Sequence, residues 1–205
     1  MTRVLLASRS AQWVLLAAFA MWALAVAIGR RAIEIDLSAT FPPTKLVVVE
    51  LCGVVTATLL AILARPRFWE WDRIARGARP RAVAATVAAA VIGLSALCVP
   101  AVVPWLPAGA SWTWVLANAL TLGGTVLLLT PLLNPLLAGA VTVVLWFTAA
   151  VTANLAPGVW LPLAGYDDQN GRWAVAVTLV VAAVLVHAGT CGMTSWAHRQ
   201  FDAER

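Results

Sequence analysis

The sequence predicts an all-α integral membrane protein, a bundle of six transmembrane helices with both termini on the cytoplasmic side. Three observations carry that expectation. The 85 residues from Ala82 to Tyr166 contain no Asp, Glu, Lys, Arg or His. Soluble surfaces carry roughly a quarter to a third charged residues, so a stretch this bare belongs in lipid. The whole chain is 62% hydrophobic and 11% charged, with a mean hydropathy of +0.88. Finally, the uncharged block follows a segment, Arg65 to Arg81, that holds six arginines.

A helix needs about 20 apolar residues to cross the hydrocarbon core. Six segments of this 205-residue chain meet that need, and they form one transmembrane domain. The expected spans are 12–29, 45–64, 82–103, 112–129, 136–155 and 173–193. Inside the uncharged block the breaks are marked by proline, which lacks an N–H and interrupts helices. Pro104 and Pro107 separate the third and fourth spans, and Pro131 and Pro135 the fourth and fifth. The residues from Pro157 to Leu163 are apolar but too short and broken to span.

Orientation follows from the basic residues near the span ends. Cytoplasmic termini place Arg3, Arg9, the six arginines from Arg65 to Arg81, Arg199 and Arg205 inside. Only Arg30, Arg31, Lys45 and Arg172 then lie outside. Trp13, Trp105, Trp112, Trp114, Trp160, Trp173 and Trp196 fall near span borders, as an aromatic belt requires. Trp22 and Trp146 sit near mid-span and are expected to pack or face lipid. The basic side chains are 13 Arg and one Lys. With abundant Ala and Val, this bias points to a GC-rich bacterial genome and so to the bacterial inner membrane. The net charge of +5 is a border effect at anionic headgroups rather than a sign of nucleic-acid binding.

The segment Arg65 to Arg81 places Phe68, Trp71, Ile74 and Ala75 on one helical face. Glu70, Asp72 and Arg73 lie mostly elsewhere on the wheel, and Arg76 follows. A short helix on the membrane surface fits this pattern, either as a topology anchor or as a docking element for a cytoplasmic partner. Glu70 and Asp72 favour docking, because acids gain nothing against an anionic leaflet.

Six spans, cytoplasmic termini, an amphipathic lead-in (Val4, Leu5 and Leu6 with Arg3 and Arg9) and a charged helix between spans two and three resemble a type-2 ABC exporter permease. The resemblance is architectural and implies several things. The loop between the second and third spans would be a coupling helix contacting a separate cytoplasmic ATPase subunit, with Phe68, Glu70, Trp71, Asp72, Arg73 and Arg76 as docking residues. The residues Pro157 to Leu163 would occupy the place of short half-helices dipping in from outside. The chain would work as a homodimer or with a second permease subunit. An amphiphilic or hydrophobic cargo would suit the uncharged spans.

The chain carries no P-loop, since its single lysine, Lys45, is followed by Leu46. Enzyme classes are disfavoured, as there is no HExxH and no GxSxG. Glu50 is the one acid clearly inside a span. An ionisable group there is a functional candidate by default. It is read either as a structural pair with Lys45, Arg30 or Arg31, or, with Asn118, as part of a substrate path. Asn118, Thr121, Gly123 and Gly124 suggest close helix packing in the fourth span. His187 and Cys191 are four residues apart, but two ligands do not make a metal site. Cys52, Cys98 and Cys191 form no CxxC pair and are expected as buried free thiols. No cofactor or metal is expected. Two other functions compete with the exporter. One is a structural or assembly subunit of a larger membrane complex; the other is a small substrate-binding membrane subunit of an importer.

Overall fold

The computed structural model describes residues 11–37, 44–65, 78–106, 111–156, 161, 163 and 169–194. Among them are six α-helices: α1 (Ala11–Ile28), α2 (Val48–Leu63), α3 (Ala78–Ala96), α4 (Trp112–Leu129), α5 (Pro135–Leu155) and α6 (Gln169–Thr190). A 3-10 helix, Pro100–Trp105, follows α3. The stretches Ala78–Trp105, Trp112–Leu129, Pro135–Leu155 and Arg172–Thr190 are long and apolar enough to cross a membrane. The chain is a helical membrane protein.

Local chemistry explains the element ends. The Asn134 side chain accepts from the Leu137 N–H at 2.7 Å, and Pro135 occupies the first position of α5. A capping amide and a proline both suit a helix start, where backbone N–H groups lack helical partners. α3 stops at Ala96 because Pro100 has no N–H to continue the ladder. α6 ends where Cys191 and Gly192 take positive φ and the Gly192 N–H reaches back to the His187 carbonyl at 3.0 Å. That reversal satisfies a carbonyl the helix leaves open.

One element departs from the sequence expectation. The helix of the second expected span begins at Val48 rather than Lys45, because Thr44–Val47 is a strand (β2) paired antiparallel with Ala32–Ile35 (β1). The register sets Glu34 opposite Lys45, and their side chains form an exposed salt bridge at 3.4 Å. The alternation of Ile33 and Ile35 around Glu34 was the available signal. The hairpin leaves α2 only 16 residues, about 24 Å long at 1.5 Å per residue. The third helix in turn begins at Ala78, so the last residues of the arginine-rich segment form its first turn.

Each helix runs opposite to its predecessor. The ends of α2, α4 and α6, the start of α5 and the middle of α3 gather around one cavity, lined by residues such as Ala64, Thr130, Pro135, Val87 and His187. At the other end the close of α1 (Ala25) packs with the start of α2 (Val49), with Val102 and with Val115 of α4. These are the cavity end and the hairpin end. α2 is central, packed against α1, α3, α4 and α5, while α4 touches α2, α3, α5 and α6.

Small residues bring the helices together. A Cβ on Gly124 would lie 3.2 Å from the backbone of Leu179 and Val180, so α4 and α6 meet almost backbone to backbone. Gly139 of α5 likewise abuts Thr58 of α2. The exterior is apolar: Leu15, Leu16 and Phe19 on α1, Val144 on α5 and Leu185 on α6 are exposed. Water would penalise such a surface and lipid does not.

Candidate functional site

Most polar side chains in the bundle are satisfied within their own helix. Thr56, Thr58, Thr121, Thr125 and Thr142 each donate to the carbonyl four residues back, at 2.6 to 2.9 Å. Such back-bonding lets a hydroxyl sit in apolar surroundings without a partner on another helix. Glu50 cannot do this, because a carboxylate only accepts and the carbonyls beside it offer nothing to accept.

Glu50 lies in the first turn of α2 and is 1% exposed. Two other helices supply its donors. The Asn118 Nδ2 of α4 donates to Oε1 at 2.9 Å, and the Trp146 Nε1 of α5 donates to Oε2 at 2.7 Å. Neither donor can accept in this arrangement, so the geometry matches a carboxylate with both oxygens engaged. A fourth helix contributes charge: Arg172 of α6 acts electrostatically on Glu50. Arg172 is itself buried, with its guanidinium 5.9 Å from the centre of the Trp114 ring. A cation over an indole face is attracted by the ring quadrupole. Four helices thus converge on one acid near the hairpin end.

The magnitudes indicate what this cluster can do. Moving a carboxylate out of water costs several kcal/mol even after relaxation. A hydrogen bond to a charged group contributes about 1.5–3 kcal/mol, so two of them offset much of that cost. The cluster is therefore close to neutral for stability, while loss of either donor leaves a buried charge exposed to the full penalty. Asn118 carries a further strain, because its Oδ1 is buried without a hydrogen-bond partner among the described residues.

The sequence candidates Glu50 and Asn118 are brought into direct contact. Lys45 is not Glu50's partner, since it pairs with Glu34 across the hairpin. Arg30 and Arg31 do not pair with Glu50 either; the charge that acts on it is Arg172. Trp146 was expected to serve packing or lipid contact; it is buried and is a donor to the acid. Trp114 was expected at the lipid border, but it is 5% exposed and lies beneath Arg172. A signal for Trp146 existed, because an indole N–H at mid-span needs an acceptor and Glu50 is the single acid inside a span. Nothing in the sequence singled out Arg172.

Thr121 bonds within α4, Gly123 faces Ser95 of α3, and Gly124 faces α6. His187 sits at the cavity end with its Nδ1 3.0 Å from the Ala183 carbonyl of the same helix. Cys52, Cys98 and Cys191 are buried free thiols. Among the described residues no three His, Cys, Asp or Glu side chains gather as a metal site. The docking candidates Phe68, Glu70, Trp71, Asp72, Arg73 and Arg76 lie outside the described residues, as does the amphipathic lead-in before Ala11. Of the segment 157–163 only Leu161 and Leu163 are described.

The cavity end is different in kind. Its cavity holds about 30 Å³, room for a couple of waters. Ala61, Val91 and Leu127 form apolar walls, and Arg65 donates to the Met193 sulfur at 3.4 Å. The Thr194 N–H bonds the Pro131 carbonyl at 3.1 Å, tying the end of α6 to the α4–α5 turn.

Fold and site together define a helical membrane protein with a polar cluster held between its helices. Comparison with protein-family models, with curated proteins and with solved structures finds no match for this chain.

Proposed function

We propose that the chain is the permease subunit of an ABC-type exporter, moving an amphiphilic or hydrophobic cargo with a separate ATPase subunit as its motor. In this reading all six helices span the bacterial inner membrane and both termini are cytoplasmic. α2 is shorter than the roughly 30 Å hydrocarbon core. The hairpin, with its open strand edges and its exposed Glu34–Lys45 pair, then belongs at the membrane–water interface, and the bilayer thins to meet the short helix.

One observation supports the reading above the others. Among the described residues, the end of α2 (Ala64 and Arg65) and the end of α6 (Gly192 and Met193) both line the cavity end. A partner docked on the segment between α2 and α3 would therefore bear directly on the ends of α2, α3, α4 and α6. Pushing there and holding at the Glu50 cluster is the leverage that alternating access needs. The partner ATPase, and a homodimer or second permease, belong to the same proposal.

The test is purification in mild detergent with the neighbouring ATPase coexpressed. The expected result is a stable complex whose ATP hydrolysis falls severalfold in the Glu70→Ala, Asp72→Ala double variant. Recovery of no ATPase, or hydrolysis indifferent to the double substitution, sinks the coupling-helix reading. A structural subunit of a larger complex is the second reading. The buried Glu50 cluster favours it, because a carboxylate held by donors from two other helices resembles a fixed joint. Copurification with an electron-transfer or biosynthetic complex would support that alternative.

A further inference from the structure

No cation bonds the Glu50 carboxylate directly among the described residues. The carboxylate is buried, both its hydrogen bonds come from neutral donors, and it forms no salt bridge among the described residues. Arg172 acts on it only through space. A carboxylate offers about four lone-pair positions, and these bonds use two. The same Asn118 amide that donates to Glu50 also presents a buried Oδ1 with no donor among the described residues. Two acceptors thus stand side by side, each with unused capacity, inside an apolar bundle.

We propose that Glu50 and Asn118 form a binding site for a small monovalent cation, a proton or a sodium ion, at the hairpin end of the bundle. Either ion supplies the charge that the neutral donors cannot. The Glu50 carboxylate would hold the ion, and the Asn118 Oδ1 would accept from a water accompanying it or ligate it directly. Trp146 keeps one carboxylate oxygen oriented, and so fixes the site without binding the ion.

Few other groups can mimic this behaviour. On α2 the nearest titratable group is Cys52, and Cys98 lies beyond α3. The described parts of α1, α4 and α5 bring no ionisable side chain to it, and α6 brings Arg172. Glu34 and Lys45 on the hairpin are exposed and pair with each other. The inference rests only on the helical bundle and not on the exporter reading. An ATPase may dock or fail to dock without changing it.

The experiment uses the full chain in lipid nanodiscs. Infrared difference spectra, taken from mildly acidic to mildly alkaline pH with and without sodium chloride, follow the Glu50 carboxyl, with Glu50→Gln identifying its bands. Binding of radiolabelled sodium is measured alongside. A proton site shows a protonated-carboxyl band that disappears on raising the pH and is indifferent to sodium. A sodium site shows saturable binding of one ion per chain that acid suppresses. Glu50→Gln abolishes either signal, and Asn118→Leu weakens the affinity about tenfold, the loss of one hydrogen bond. Trp146→Phe retains the site with a shifted midpoint, so a folding failure in one variant does not hide the answer. A carboxylate band unchanged across pH and sodium, with no saturable sodium binding, overturns the proposal.

Discussion

The two ends of the bundle solve opposite problems. At the hairpin end a carboxylate is buried among α2, α4, α5 and α6 and is met by donors from two of them. At the cavity end the helix termini surround a small space, where Arg65 donates to the Met193 sulfur and the Thr194 N–H to the Pro131 carbonyl. A buried charge forces neighbours to converge, because each missing bond costs more in hydrocarbon than in water. The cavity end has no such buried acid, and its described contacts are a sulfur contact and backbone bonds around an apolar space.

The most damaging way to break this contrast is Glu50→Ala. It strands the buried Trp146 and Asn118 donors without an acceptor, so we expect a loss of about 1–3 kcal/mol for each of the two. Thermal unfolding in detergent should show the midpoint falling well below wild type; an unchanged midpoint removes the cluster's structural role. Next comes Gly124→Val, where the new side chain meets backbone of α6 that cannot rotate aside. Overpacking there costs about 1–3 kcal/mol. Gly139→Ala falls in the same range although it adds one methyl, because the new Cβ meets the hydroxyl, methyl and Cβ of Thr58 together and turning the side chain only exchanges one for another. Comparing the two midpoints tests whether the α4–α6 seam is the tighter one.

Trp146→Phe keeps the ring and removes the N–H, isolating one bond to the acid. An expected loss of about 1.5–3 kcal/mol, measured by the same unfolding assay, belongs to that bond alone. The smallest effect is Lys45→Ala. It removes an exposed pair at the same end of the molecule as Glu50, with partners 48% and 59% exposed. Such pairs contribute about 0–1 kcal/mol. A large loss here would mean that the hairpin, rather than the buried acid, secures this end.

Much of the helix layout was readable in advance. Hydropathy is a local property, and α4 and α5 fall where the uncharged block and its prolines place them. The hairpin was missed because Lys45 to Ala64 is apolar enough to read as one span, although Ile33 and Ile35 alternate around Glu34 in the partner strand. The candidate site was half legible. Glu50 and Asn118 stood out because polar groups are costly in a span, whatever surrounds them. Trp146 and Arg172 did not, since one resembled a lipid-facing ring and the other a border charge.

By itself the sequence determined a helical membrane protein, the positions of its helices and the acid that apolar surroundings make conspicuous. Those properties follow from transfer free energies, which each residue carries alone. Only the tertiary structure decided that the Glu50 charge is met by an indole 96 residues away and an amide 68 residues away. It alone assigned Lys45 to Glu34 instead. Hydrogen bonds depend on distance and direction, and those are fixed only when close-packing glycines set how the helices meet.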